Sequence, residues 1–253
     1  MIRETHEKLR PVLKRRDHGF RWRGHEISRI EGLSDAVFAF AVTLLVVSLE
    51  APKRFEDLRR LMHGFVSFGI CFALLLMIWH AQYIYFRRYA LDDLPTFLLN
   101  AALLFVVAFY VYPLKFLFTV FTNSLTGYHE VDAAGRAILS MQSQDWRPLM
   151  EIYSVGFIGL YVIFALLYWH AYRLREALDL SPMEIYETRG VVQENLVMIG
   201  IGVAALVLAR ANLPQASGMM YPLIGPLQGW LGSVHGKGRR LLNEAAAREM
   251  TQH

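Results

Sequence analysis

The chain is predicted to be an all-α integral membrane protein with six transmembrane helices. Three observations lead there. Of its 253 residues, 55% are hydrophobic and only 19% are charged, and the mean hydropathy is +0.30. The apolar residues gather into runs long enough to cross a ~30 Å hydrocarbon core as helices, instead of alternating as half-buried strands do. The basic residues cluster in every second connection, the asymmetry that cytoplasmic loops carry.

Taken in order, the spans are Leu33–Leu49, Leu61–Phe86, Leu94–Phe121, Ile152–Tyr172, Val191–Leu208 and Gly218–Val234. The first has a polar cluster, Arg29, Glu31, Ser34 and Asp35, leading into an uncharged run from Ala36 to Leu49. The second closes on Trp79, His80, Gln82 and the Arg87-Arg88 anchor, and the third opens near Asn100. Pro222, Gly225 and Pro226 interrupt the sixth, which membrane helices tolerate when neighbours satisfy the freed backbone groups. The sixth span decides topology, because five would put the C-terminus on the opposite side. Arg/Lys of the first 29 residues, Arg87-Arg88, Arg173, Arg175, Arg189 and the tail after Val234 all fall on one side if there are six, which places both termini in the cytoplasm of a cell's inner (plasma) membrane.

The expected organisation is a basic cytoplasmic arm over residues 1–28, a membrane domain over 29–234 and a cytoplasmic tail over 235–253. The arm has no apolar core and is not a signal peptide; its charge suits topology setting and attraction to anionic membrane lipids. No fold or aromatic platform accompanies that charge, so nucleic acid is not an expected partner. The single cysteine, Cys71, lies in an apolar span and excludes an intrachain disulfide or a cysteine-rich metal site. No hydrolase, zincin, Walker or dinucleotide motif is present, so the chain is not expected to be an enzyme, and neither a metal nor a cofactor is expected. The acids around Glu130, Asp132, Asp145 and Glu151 fit a solvated outer loop.

Wound as a helix, the first span puts Phe40, Thr43, Leu44 and Val47 on one stripe, with Phe38, Val42, Leu45 and Leu49 opposite. Both faces could simply pack against neighbouring helices, with Thr43 bonding back to the carbonyl of Ala39. Alternatively, the stripe faces the axis of an oligomer, where rings of Phe40, Thr43 and Val47 would make an apolar constriction broken by one layer of hydroxyls. Ser34, Asp35, His80 and Asn100 reach a similar depth, so a polar network joining the first three spans is expected. The same Asp35–His80 region could instead serve a proton- or cation-coupled transporter as a relay, although no inverted repeat is visible.

The pattern Arg29-x-x-x-Leu33-Ser34-Asp35, followed by V-F-A-F-A-V-T-L-L-V from Val37 to Val46, resembles the R-x-x-x-F-S-D signature of the transmembrane protein 175 potassium channel family. Trp79, His80, Asn100 and Pro113 resemble that family's pattern too, so the likeness covers Arg29 to Pro113. It implies a potassium-permeable, leak-type channel without a T-V-G-Y-G filter, built as a homotetramer of six-helix subunits whose first helices line the pore, with K⁺ as the permeant ion. By position, the resemblance puts the constriction at Phe40, Leu44 and Val47 and selectivity at Thr43. Arg29, Ser34, Asp35, Trp79, His80 and Asn100 become an anchoring network. Two residues depart from the pattern: Leu33 stands for the signature phenylalanine, and Phe40 for a smaller aliphatic residue.

Overall fold

A computed structural model describes residues 20–24, 26–47, 52–126 and 144–251. Every regular element among them is helical. In chain order these are α1 (Arg29–Val47), α2 (Phe55–His63), α3 (Phe65–Tyr89), α4 (Leu94–Thr126), α5 (Trp146–Arg173), α6 (Pro182–Arg210), α7 (Pro214–Met219), a 3₁₀ turn (Tyr221–Leu223) and α8 (Ile224–Thr251). Five of the described helices, α1, α3, α4, α5 and α6, are long and apolar enough to cross a membrane.

The first five expected spans lie mostly on these helices, which begin or end about a turn or more away from the apolar runs; Ser48 and Leu49 of the first span lie outside the described residues. The difference has a local cause at each end. Ser181 accepts from the Glu184 amide while the Glu184 carboxylate accepts from the Ser181 amide, a capping box with Pro182 in the first turn, so α6 starts well before the apolar run at Val191. In the second span, residues 61–63 belong to the short α2, and the chain turns at Gly64 before α3 begins. Helix α3 ends on Ala90, whose φ of 51° is left-handed and returns its amide to the Phe86 carbonyl. The region expected as a sixth span is divided among α7, the 3₁₀ turn and the start of α8, and α8 runs on through Lys237 and Arg239, too polar overall to count with the five.

Helix α4 is the hub, packing against α1, α3 and α5, while α5 and α6 form the most extensive pair. Small residues permit that closeness: a Cβ on Gly202 of α6 would lie 2.7 Å from the Ile158 side chain of α5, and Ala171, Ala205 and Ala209 are fully buried. The main core joins Ala41 and Leu45 of α1 to Cys71, Leu75 and Tyr85 of α3, Leu103 and Val107 of α4, and Leu167 of α5.

Candidate pore helix and its anchors

Helix α1 has two opposed faces. Glu31, Ser34, Phe38, Ala41 and Leu45 recur every three or four residues and are buried. On the other side Phe40 is 57% exposed and Val47 69% exposed, and Ala36, Ala39 and Thr43 are exposed as well. Phe40 and Val47 are seven residues apart and share a face, whereas Phe38 lies about 160° round from Phe40 on a 3.6-residue helix. Leu44, about 40° round from Phe40, sits at the edge of the exposed face and is half-buried against the core cluster. Thr43 donates to the Ala39 carbonyl at 2.9 Å. That bond uses the hydroxyl proton and leaves the oxygen, on an exposed residue, able to accept.

The polar residues at the start of α1 are tied to two other helices. The buried Asn100 of α4 donates from Nδ2 to Ser34 Oγ at 2.9 Å, and its Oδ1 accepts from Nε2 of the buried Gln82 on α3. Ser34 in turn donates to the Ile30 carbonyl at 2.8 Å. Asp35 accepts from Trp79 Nε1 at 2.8 Å. One turn earlier, Glu31 forms a buried ion pair with Arg87, whose Nη1 also donates to the Gly24 carbonyl at 2.8 Å. Of the six residues expected in the network, the structure therefore joins Ser34 to Asn100 and Asp35 to Trp79.

Arg29 and His80 stand outside it. His80 is exposed and stacks on Tyr83 at 6.2 Å, because Gln82, two residues later, is the α3 side chain that faces α1 and α4. Arg29 is exposed on the same side as Phe40. Among the described residues, no three His, Cys, Asp or Glu side chains are grouped to hold a metal ion.

The last part of the basic arm is built into the bundle and is not a solvated lead-in. Phe20 is 3% exposed, packed edge-on against Tyr89 and under the guanidinium of Arg88. The amides of Arg23 and Gly24 donate to the Arg87 carbonyl at 3.0 and 3.2 Å, and Arg23 forms a buried pair with Glu184 at 2.9 Å. A side chain at position 24 would bring its Cβ within 2.8 Å of the Phe86 carbonyl, so this approach requires glycine. The strap thus fastens α3 to α6 and, through Arg87 and Glu31, to α1. Residues 1–19, most of the expected outer loop and the end of the C-terminal tail lie outside the described residues.

Over 233 residues the chain is 37% identical to a potassium channel of Marivirga tractuosa, an alignment that covers 89% of this chain and 94% of that one. Residues 29–110 match the family model described as the endosomal/lysosomal potassium channel TMEM175. The chain belongs to the TMEM175 family. A potassium channel of Streptomyces collinus is 25% identical over 161 residues, covering 61% of this chain and 69% of that one. The fold matches the crystal structure of a threonine-to-alanine variant of the potassium channel MtTMEM175, bound to a nanobody fusion protein, with a TM-score of 0.75 and 36% identity over 86% of this chain and 97% of that chain.

The family match spans α1, α2, α3 and the first half of α4, among them the helices that hold the exposed α1 stripe and its polar anchors. Sequence reasoning missed Glu31, Arg87, Arg23 and Glu184 as a linked set. The Ser181-x-x-Glu184 capping box was a legible signal for one end. The partnership of Arg23 with Glu184 had none, because the two lie 161 positions apart.

Proposed function

We propose that four copies of this chain form a potassium-permeable, leak-type cation channel in a cell's inner membrane, with α1 of each copy lining the pore. The family's potassium channels support the ion. The observation that carries the pore assignment is the division of α1 into a face buried by Ser34, Phe38, Ala41 and Leu45 and an opposite face on which Phe40, Thr43 and Val47 are exposed. A membrane helix held by its own subunit along one stripe has the other free to meet a symmetry axis. On that axis, Phe40 and Val47 form hydrophobic constrictions that gate by dewetting, and the Thr43 oxygens replace part of a cation's hydration. The half-buried Leu44 supports the wall from behind. No T-V-G-Y-G segment occurs, so selection rests on the hydroxyl ring and on pore width.

In this reading α7 and the first part of α8 supply the sixth span, both termini are cytoplasmic, and lipids surround the outer helices. The anchoring bonds from Asn100 and Trp79 hold α1 at a fixed rotation, so that the pore stripe stays on the axis. A transporter relaying protons between Asp35 and His80 finds no support, since Asp35 is bonded to Trp79 and His80 faces away.

Reconstituted liposomes under a K⁺ gradient test the proposal, with Na⁺ substituted in parallel. K⁺ flux should exceed Na⁺ flux, native mass spectrometry should give four copies, and Phe40→Ala should raise flux while weakening the K⁺ preference. Unchanged flux from correctly assembled Phe40→Ala protein would place the constriction elsewhere.

A further inference from the structure

We infer that Arg29 places a ring of positive charge at the cytoplasmic mouth of the pore and makes the channel pass K⁺ more readily inward than outward. The inference rests on the pore reading above and extends it to a residue that the anchoring network does not use.

The geometry begins with helical register. Arg29 lies eleven residues before Phe40, so it is rotated only about 20° from it and sits about 16 Å nearer the cytoplasm along the axis. The residues between them on that face are exposed as well: Leu33, 50% exposed, and Ala36. Arg29, Leu33, Ala36, Phe40, Thr43 and Val47 thus form one unbroken stripe from the first turn of α1 to its last, opposite the buried stripe that starts at Glu31. If Phe40 faces the axis, Arg29 faces it too.

Among the described residues no acidic side chain pairs with Arg29. The two acids nearest on α1 are committed elsewhere: Glu31 is buried in its pair with Arg87, and Asp35 accepts from Trp79 and is rotated about 140° from Phe40. Arginine does not lose its proton in proteins, so the ring is permanent.

Rings of charged side chains set which ions approach a pore. Four guanidinium groups around the inner mouth lower the local K⁺ concentration on the cytoplasmic side, and the outer mouth is unaffected. Ions moving outward must pass this depleted zone before reaching Phe40; ions moving inward meet it only on leaving. The result is inward rectification that weakens with ionic strength, because the Debye length is ~10 Å at 0.1 M and ~3 Å at 1 M salt.

Inside-out patches containing the assembled channel in symmetrical K⁺ give the test, with Arg29→Lys, Arg29→Gln and Arg29→Glu compared against Phe40→Ala. Wild type and Arg29→Lys should rectify inwardly at low salt. Arg29→Gln should raise the outward-to-inward current ratio by about twofold or more, and Arg29→Glu should raise it further, with all four converging at high salt. Equal ratios in wild type, Arg29→Gln and Arg29→Glu would overturn the inference, and the pore reading survives that result if Phe40→Ala still raises conductance. If both Arg29 and Phe40 variants behave as wild type, the pore reading itself fails. An Arg29→Gln chain that no longer assembles while Arg29→Lys does would show Arg29 to be a structural partner between subunits, which also overturns the inference.

Discussion

Replacing Ser34 by Ala removes the atom on which Asn100 depends, and the structure allows its cost to be worked out. Ser34 is 1% exposed and Asn100 1% exposed, with no room beside either for bulk water. The substitution deletes two hydrogen bonds, the 2.9 Å bond from Asn100 and the 2.8 Å bond to the Ile30 carbonyl, and of these the first leaves a buried amide N–H without its acceptor. An unsatisfied buried polar group costs ~1–3 kcal/mol in soluble proteins, whereas interhelical hydrogen bonds in membranes average ~0.6 kcal/mol with a maximum near 1.7. Complete burial and the second bond from Gln82, which fixes the amide's orientation, favour the upper part of the membrane range. A destabilisation of about 1–2 kcal/mol is expected, or a Tm lowered by roughly 2–8 °C for a chain of this size. Thermal unfolding of purified protein, read by size-exclusion chromatography after heating, measures it. The decisive form is a double-mutant cycle: Ser34→Ala and Asn100→Ala should be less than additive by ~0.5–1.5 kcal/mol, since each removes the same bond. Additive costs, or a Ser34→Ala protein as stable as wild type, would refute the idea that this bond fixes the rotation of α1.

Three further outcomes are expected. Thr43→Ala should lower the K⁺ over Na⁺ permeability ratio severalfold with assembly intact, since its hydroxyl is exposed and bonds to Ala39 of the same helix; identical bi-ionic reversal potentials in variant and wild type would remove the hydroxyl from selection. Glu184→Gln should destabilise the bundle by about 1–3 kcal/mol, because it takes the carboxylate away from the Arg23 guanidinium, whose side chain is 12% exposed and keeps backbone carbonyl acceptors such as Leu178 at 3.1 Å, and it should make the arm more sensitive to limited proteolysis at its arginines. Burial pulls the Asp93 pKa upward, but hydrogen bonds from Thr96 and His170 outweigh it and hold the carboxyl below the usual value. Its contribution to stability is therefore present above the unfolded-state value of about 3.9 and is lost as pH falls through the lower folded value, so Asp93→Asn should lower Tm at neutral pH by a few degrees at most and flatten the acid dependence below about pH 4.

What the sequence by itself determined follows from patterns confined to one segment. Uncharged apolar runs identified the five helices able to span a membrane, because hydrocarbon thickness sets a length that can be read without knowing any neighbour. Helical periodicity divided α1 into its two faces, and the signature around Ser34 and Asp35 pointed to the family. Tertiary structure decided everything that depends on which side of a helix meets which partner. It put Gln82 rather than His80 beside Asn100, turned Leu44 toward the core, and left Arg29 exposed on the Phe40 face, since one residue along a helix is a rotation of about 100° and depth alone does not specify it. It also drew the end of the arm into the bundle: Phe20, Arg23 and Gly24 meet Tyr89, Glu184 and Arg87 only after α3 and α6 have been brought side by side, a juxtaposition that distant positions in a chain do not announce.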